Sequence, residues 1–141
     1  MSKKTFIVFG LVVVFLAVLI PWLAFRSDGD AARGAQEVPA DLTEGQSLFQ
    51  TNCGTCHTLY SAGTDGNYGP NLDELLAPNG PPEGDKDTVE TTIKSTKGRV
   101  LNAIENGVDS STTTGRMPAG ILNEEQAEEV SEFVARTAGE G

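Results

Sequence analysis

The side chains that most often bind metals or carry redox chemistry are scarce in this chain of 141 residues. It has one histidine, two cysteines and two methionines, and aromatic residues make up only 6% of it. Both cysteines and the histidine lie in the segment Cys53-Gly54-Thr55-Cys56-His57. A structural zinc site needs four ligands, usually in two separated Cys or His pairs. Because no second pair exists, only a carboxylate could complete such a site here.

Positive charge is scarce as well. From Ser27 onward, 7 Lys and Arg residues face 20 Asp and Glu residues, a formal charge of −13. This excess of acid argues against nucleic acid as a partner, since its phosphates would be repelled. It favours partner proteins with neutral or basic docking surfaces, although ordinary solubility explains the charge equally well. The basic residues that cluster are either a docking patch or a solvated face: Lys86, Lys94, Lys97 and Arg99.

The long apolar run from Phe6 to Phe25 has 20 residues and no charge. That is about the length a helix requires to cross a hydrocarbon core. A cleavable signal peptide is the alternative, but its apolar region is usually about 7–15 residues and ends at small residues, and no A-x-A-like cleavage site lies near the end of this run. Lys3 and Lys4 precede the run, so the positive-inside rule keeps that end in the cytoplasm. We expect residues 1–26 to form a cytoplasmic stub and a single-pass anchor in the cell membrane, with the C-terminal domain on the extracytoplasmic (periplasmic or outer) side.

The rest of the chain divides into a linker and one domain. Residues 27–41 are polar, rich in Gly and Ala and without apolar periodicity, so we expect a flexible linker. Residues 42–141 show four helical patches between Gly and Pro loops, and no strand pattern of any length. This predicts an all-α domain of four or five helices. The patches begin near Thr43, Leu72, Thr88 and Asn123.

Local signals mark the ends of these helices. Thr43 with Gln46, and Asn123 with Gln126, have the spacing of a capping box. Gly98 is a candidate break in the third patch. The apolar residues of the domain are few, and long Gly and Pro loops join its helices. The domain therefore has too few apolar side chains to fill its core, unless a large apolar group is bound at its centre.

The segment Cys53–His57 admits three interpretations. A redox dithiol uses Cys-x-x-Cys with a lowered pKa on the first thiol, but no βαβ pattern flanks this one. A zinc site lacks a ligand. Covalent haem is the third, because Cys-x-x-Cys-His is the attachment signature of c-type haem. On a helical backbone, residues three and four apart share a face. Cys53 and Cys56 then reach the edge of one macrocycle while His57 faces its metal, and we favour this interpretation.

A haem iron bound by one histidine has a second axial position. The two methionines are Met1, on the predicted cytoplasmic stub, and Met117. Met117 lies among polar residues and before Pro118, unlike a methionine that fills a core. We therefore expect Met117 to be the second ligand, with lysine ligation or an open, gas-binding position as alternatives. Ligation by one His and one Met raises the reduction potential of the haem relative to ligation by two nitrogen atoms, and it suits reversible one-electron transfer.

The region from Leu42 to Gly139 resembles a class I c-type cytochrome, of the monohaem, membrane-anchored bacterial kind. It lacks the lysine ring that mitochondrial members have around the exposed haem edge, and residues 88–97 have no clear counterpart. The matching features follow the family's order: Gly45 and Phe49, Cys53 to His57, Gly69-Pro70-Asn71-Leu72, Asn106-Gly107, Met117-Pro118-Ala119 and Phe133.

The resemblance implies one covalent haem c and a role for each site residue. Cys53 and Cys56 would form thioethers with the haem vinyl groups. His57 would be the proximal iron ligand and Met117 the distal one. The Pro70 carbonyl would accept a hydrogen bond from the other ring nitrogen of His57 and fix its tautomer.

The resemblance also implies how the domain packs. Gly45 and Phe49 would meet Phe133 where the first and last helices of the domain cross. The haem pocket would be lined by five apolar residues: Leu72, Leu75, Val100, Leu101 and Ile104.

We therefore predict a one-electron carrier, tethered to the outer face of the cytoplasmic membrane, that shuttles electrons between respiratory or photosynthetic redox partners. We expect neither a catalytic residue nor a small-molecule substrate. One alternative is a cytochrome c subunit of a larger membrane oxidoreductase complex. The other is a haem-based gas or redox sensor.

Overall fold

The computed structural model describes the backbone of residues 3–26, 34–109 and 116–141, and in the first of these ranges the side chains of residues 7–20. The chain divides into two compact units, Met1–Ala31 and Ala32–Gly141. The described residues form five α-helices: α1 (Lys3–Arg26), α2 (Thr43–Asn52), α3 (Leu72–Leu76), α4 (Lys86–Asn106) and α5 (Glu124–Thr137). Short elements complete the second unit: 3₁₀ turns at Ala40–Leu42 and Tyr60–Ala62, and strands β1 (Thr58–Leu59) and β2 (Thr64–Asp65).

Helix α1 covers the apolar run, but the predicted transmembrane anchor is wrong. Among the described residues, no helix combines the length and the apolar character that a membrane crossing requires. The predicted fold class is therefore corrected to a helical fold without a membrane-spanning helix in its described part.

The second unit is organised around the crossing of α2 and α5. A Cβ atom on Gly45 would lie 2.7 Å from the Cβ of Phe133, so the two backbones approach as closely as glycine permits. Next to this contact, the rings of Phe49 and Phe133 meet edge to face with their centroids 6.1 Å apart. The predicted contact of Gly45 and Phe49 with Phe133 is confirmed.

The helix ends follow the sequence signals in part. At α5, Asn123 and Gln126 form the predicted capping box, in which each side chain accepts the other residue's backbone N–H. At α2 the prediction is wrong, because no side-chain cap is made there. The Gln46 amide instead donates to the carbonyls of Gln36 and Ser61, both at 2.8 Å. Helix α4 is continuous through Gly98, so the candidate break there is wrong as well.

A small β-hairpin follows the cysteine segment and was not predicted. Its strands β1 and β2 pair antiparallel, with Thr58 opposite Asp65 and Leu59 opposite Thr64. Leu59 points into the core, where it is fully buried. Two strands of two residues each leave the predicted all-α class intact for this domain.

The predicted linker is described only from Gly34 onward, and its residues 27–33 lie outside the described residues. The backbone N–H of Gln36 donates to the Ser61 carbonyl at 3.1 Å, and Val38 packs against the core. From Gln36 on, the segment is thus held to the second unit. The boundaries at residues 26 and 41 stay predictions.

Candidate functional site

The Cys53–His57 segment lies in turns that continue α2 without being part of it. The backbone N–H of Cys53 donates to the Phe49 carbonyl at 2.8 Å. The N–H groups of Cys56 and His57 both donate to the Cys53 carbonyl, at 3.0 and 2.9 Å. Hydrogen bonds between residues three and four apart are those of helical turns. The spacing predicted for a helical backbone therefore holds over the segment, although the helix itself ends at Asn52.

The His57 ring is oriented by the backbone of the loop that precedes α3. Its Nδ1 lies 2.9 Å from the carbonyl oxygen of Pro70. Because a carbonyl only accepts hydrogen bonds, Nδ1 must carry the proton. That tautomer leaves the lone pair of Nε2 available to a metal, as it is in histidines held by a backbone carbonyl. The role of His57 as an iron ligand stays a prediction, and the contact with Pro70 is the one it requires.

The Cys53 thiol has a raised pKa, which disfavours a redox dithiol. Both cysteines are free, and Cys53 is buried. Burial, and to a lesser extent the neighbouring Cys56, raises the pKa of the Cys53 thiol to about 11. A disulfide-exchanging Cys-x-x-Cys lowers the pKa of its attacking thiol, because the thiolate is the nucleophile. At neutral pH the Cys53 thiol is protonated, which disfavours that interpretation.

The zinc interpretation finds no support in the geometry. In the ranges that the structure describes, no three His, Cys, Asp or Glu side chains come together as ligands of a metal ion. Cys53, Cys56 and His57 are adjacent in sequence, yet they do not converge on one point as a tetrahedral site requires.

Met117 lies on a separate loop that is held against the end of α4. Its N–H donates to the Val108 carbonyl at 3.1 Å, and the Val108 N–H donates to the Met117 carbonyl at 3.0 Å. Gly107, at φ +70°, allows this pairing, since a Cβ there would lie 2.6 Å from the Met117 oxygen. The Met117 side chain is half-buried against the core. The position of this part of the loop is thus fixed by its backbone hydrogen bonds to Val108.

The family model for cytochrome c matches residues 42–138. The chain belongs to the cytochrome c family. It is also similar to the c-type cytochrome SorU from Sinorhizobium meliloti, in its crystal structure, at 34% identity over 70% of this chain and 92% of that one, with a TM-score of 0.48. No curated protein sequence matches the chain.

Family membership establishes a covalently bound haem c, an electron-transfer protein and a haem domain outside the cytoplasm. The zinc and dithiol interpretations are therefore replaced by haem attachment. The individual roles of Cys53, Cys56, His57 and Met117 stay predictions.

The apolar residues around the site fit a large planar group. Leu75, Val108 and Ile121 are 50%, 43% and 36% exposed, unusual fractions for apolar residues beside a core. Others are half-buried at the core's edge: Leu72, Leu76, Val100, Leu101, Met117 and Leu122. Ile104, which was also predicted to line the pocket, is 2% exposed and belongs to the buried core, and its place in the lining stays a prediction. A haem c covers apolar surface of this kind, and the donor set of two thiols, an imidazole and a thioether is the one it uses.

The structure thus brings Cys53, Cys56, His57 and Pro70 together and holds Met117 on its own loop. Sequence reasoning missed one residue of this neighbourhood, Asp73, which is buried and accepts two backbone hydrogen bonds. Its place in the first turn of α3, where acidic residues are common, gave no signal of that role.

Proposed function

We propose that this cytochrome c is a one-electron carrier that shuttles electrons between respiratory or photosynthetic redox partners outside the cytoplasm. The observation that carries the proposal is the His57 ring, held by the Pro70 carbonyl at 2.9 Å immediately after the two cysteines. An imidazole with a fixed tautomer beside two attachment thiols is what a permanently bound, low-reorganisation redox centre requires.

Each residue of the site has one task in this proposal. Cys53 and Cys56 would hold the haem through thioethers, and the Nε2 of His57 would bind its iron. The Met117 sulfur would be the second protein ligand. Pro70 keeps the His57 ring in place. When bound, the haem supplies reversible one-electron chemistry at a high potential, as His and Met ligation favours.

The remaining residues of the site exclude water and take no part in proton transfer. Leucine and valine side chains from α3 and α4 surround it, and a dry pocket of this kind favours the less charged reduced state. None of the predicted site residues pairs a base with a nucleophile, so the proposal includes no substrate chemistry and no small-molecule substrate. This is consistent with an electron-transfer protein.

The redox partners would present neutral or basic surfaces. The segment from Ser27 onward carries a formal charge of −13, so a basic surface would be attracted at low ionic strength. One residue of the basic cluster described above, Lys97, already forms ion pairs within the domain. Its Nζ lies 2.7 Å from Glu128 Oε2 and 3.0 Å from Glu132 Oε2. This favours a solvated face over a docking patch for that lysine. Raising the salt concentration should slow electron exchange with a basic partner.

The test is a reduced-minus-oxidised spectrum of the matured protein and of Met117→Ala. The unaltered protein should show the far-red sulfur-to-iron band, and the variant should lose it while keeping the haem covalently attached. Val38→Ala, a truncation of another half-buried apolar residue at the edge of the core, is the control and should keep the band. Retention of the band in Met117→Ala would remove Met117 from the site.

Two further outcomes would replace the proposal. Rapid binding of carbon monoxide to the reduced protein would indicate an open position and a sensor, since a firm Met117 ligand resists exchange. Tight co-purification with a catalytic chain would indicate a subunit of an oxidoreductase complex.

A further inference from the structure

Two segments on the His57 side of the site run alongside each other in a fixed register. The Gly69 N–H donates to the Cys56 carbonyl at 2.7 Å. One residue further on each side, His57 Nδ1 meets the Pro70 carbonyl at 2.9 Å. Three residues further again, the Tyr60 N–H donates to Asp73 Oδ2 at 2.8 Å. All three contacts join residues thirteen apart, so they form one parallel alignment of residues 56–60 with residues 69–73.

The last of these contacts differs from the others in its acceptor, which is a carboxylate side chain, whereas backbone carbonyls of Cys56 and Pro70 accept the first two. Asp73 is only 9% exposed and is the one charged residue among the buried residues of the described ranges. Its second oxygen, Oδ1, accepts the N–H of Gly139 at 2.8 Å, just beyond α5. A single carboxylate therefore joins α3, the turn after β1 and the end of α5.

Only an ionised carboxylate can make both contacts equally well. It offers two acceptor oxygens and no donor, whereas an amide of the same shape offers one acceptor and turns an NH₂ group toward the other N–H. A buried charge is costly unless it is hydrogen-bonded, and here two backbone N–H groups compensate it. This gives a physical reason for an aspartate at this position.

We propose that Asp73 is a positioning residue for the proximal ligand. By closing the far end of the 56–60/69–73 alignment, it holds the Pro70 carbonyl on the His57 ring. By binding Gly139, it makes that position depend on the docking of α5. The inference rests on the proposed role of His57 as an iron ligand and goes beyond it, because the Asp73 carboxylate bonds to the backbone of Tyr60 and Gly139 and makes no hydrogen bond to His57.

The chain's single histidine makes a sharp test available. In holoprotein labelled with ¹⁵N-histidine, one ring gives the only imidazole signals, so exchange of the Nδ1 proton with solvent is measured without assignment. Asp73→Asn should speed this exchange about tenfold in the reduced protein, the factor expected for loss of one hydrogen bond to a charged group. The removal of a negative charge can by itself shift the reduction potential, which is why proton exchange is the readout.

The matched control is Ser61→Ala. The Ser61 hydroxyl donates to the Thr137 carbonyl at 3.0 Å and joins the same turn to the same end of α5 without touching residues 69–73. It should lower the stability of the domain and leave the His57 ring exchange within about twofold of the unaltered protein. Equal ring exchange in Asp73→Asn and Ser61→Ala would overturn the proposal and leave Asp73 a purely structural residue.

Two measurements on the unaltered holoprotein guard against ambiguous results. If Asp73→Asn does not fold, native-state hydrogen exchange of the unaltered holoprotein replaces it. The amide protons of Tyr60 and Gly139 and the ring proton of His57 should then exchange with solvent through the same opening reaction, and the free energy of that opening should depend on denaturant concentration in the same way for all three. A ring proton that opens separately, at lower free energy, would contradict the proposal. The second measurement is the chemical shifts of the His57 ring nitrogens, which show whether His57 is bound to iron. A free imidazole there would contradict the proposed function, while the Tyr60 and Gly139 amides still report on the alignment.

Discussion

The crossing of α2 with α5 and the face that carries Cys56, His57 and Met117 are built on different principles. At the crossing, Phe49 and Phe133 are 1% and 0% exposed. On the other face the ligand residues are half-buried, and apolar side chains of α3 and of the loops near Met117 remain open to solvent. The crossing is filled by the polypeptide alone, whereas the ligand face is not.

This difference indicates how a bound haem would contribute to the stability of the domain. Apolar surface left exposed costs about 25 cal/mol for each Å² that a cofactor could cover. In the proposed site the haem would cover this apolar surface, while the crossing of α2 and α5 is packed by side chains of the polypeptide itself. Substitutions at the crossing should act on stability first, and substitutions on the ligand face should act on the haem spectrum.

The largest expected effect is at the crossing. Phe133→Ala removes a fully buried ring that meets Phe49, so it should lower the free energy of unfolding by about 4 kcal/mol. Tyr68→Ala, at an exposed aromatic residue on the other face, should cost less than about 0.5 kcal/mol. Chemical denaturation of the holoproteins measures both. Similar losses in the two variants would break the distinction between the regions.

The close approach of the helices predicts the next effect. Gly45→Ala places a methyl group 2.7 Å from the Cβ of Phe133, and the helices must separate, at a cost of about 3 kcal/mol. Gly98→Ala is the matched change in α4, where nothing lies within 4 Å, and it should stabilise the domain by about 0.5–1 kcal/mol. Thermal unfolding of the pair provides the measurement. A Gly45→Ala variant as stable as the parent would show that the crossing is loose.

On the ligand face, Gly107→Ala should disturb Met117. The change combines a left-handed backbone, at φ +70°, with a contact to the Met117 carbonyl, so we expect a loss of about 2 kcal/mol and a weakened sulfur-to-iron band. Gly120 has a similar φ of +64° but open space around it, so Gly120→Ala should cost about 1 kcal/mol and preserve the band. The absorption spectra separate the two. An unchanged band in Gly107→Ala would mean that this backbone pairing does not hold the ligand.

The smallest effect concerns the rim of the α4–α5 contact. Hydrogen bonding to Glu128, followed by weaker effects of Glu132, raises the pKa of Lys97 above its ordinary value of 10.5. A raised pKa in the folded state stabilises the fold below the unfolded value and ceases to do so as the pH rises through the folded one. Lys97→Met should therefore cost about 0.5–1 kcal/mol at pH 7, because the ion pairs are partly exposed, and nothing at a pH well above 10.5.

Lys94→Met, on the exposed surface of the same helix, is the control for Lys97→Met. Urea unfolding of both variants at the two pH values tests the sign. A loss in Lys97→Met that persists at the high pH would assign the effect to packing of the lysine stem rather than to its charge.

Local signals predicted the parts of the structure that local interactions determine. The capping box at Asn123, the short helix from Leu72 and the helical turn through Cys53 depend on neighbours within four residues. Gln46 shows the limit of such signals: it has the spacing of a cap, but a chain segment fifteen residues away competes for its amide. The apolar run of α1 was likewise overread as a membrane anchor.

The ligand face illustrates the same limit more strongly. The identities of Cys53, Cys56 and His57 follow from their spacing, because attachment chemistry requires it. The alignment that orients His57 depends on contacts between residues thirteen apart, and the buried position of Asp73 depends on the arrival of Gly139 from the end of the chain. No periodicity encodes contacts of that range. The contact of His57 with Pro70 was expected only from the family resemblance, and the contacts of Asp73 are seen only in the folded structure.

The most direct test of the central claim is the intact mass of the purified, matured protein under denaturing conditions. A haem fastened through Cys53 and Cys56 predicts a single species of the polypeptide plus one haem, unchanged after extraction with acidified acetone. The double variant Cys53→Ser, Cys56→Ser should have the mass of the bare polypeptide. A bare polypeptide mass in the unaltered, matured protein would contradict the account.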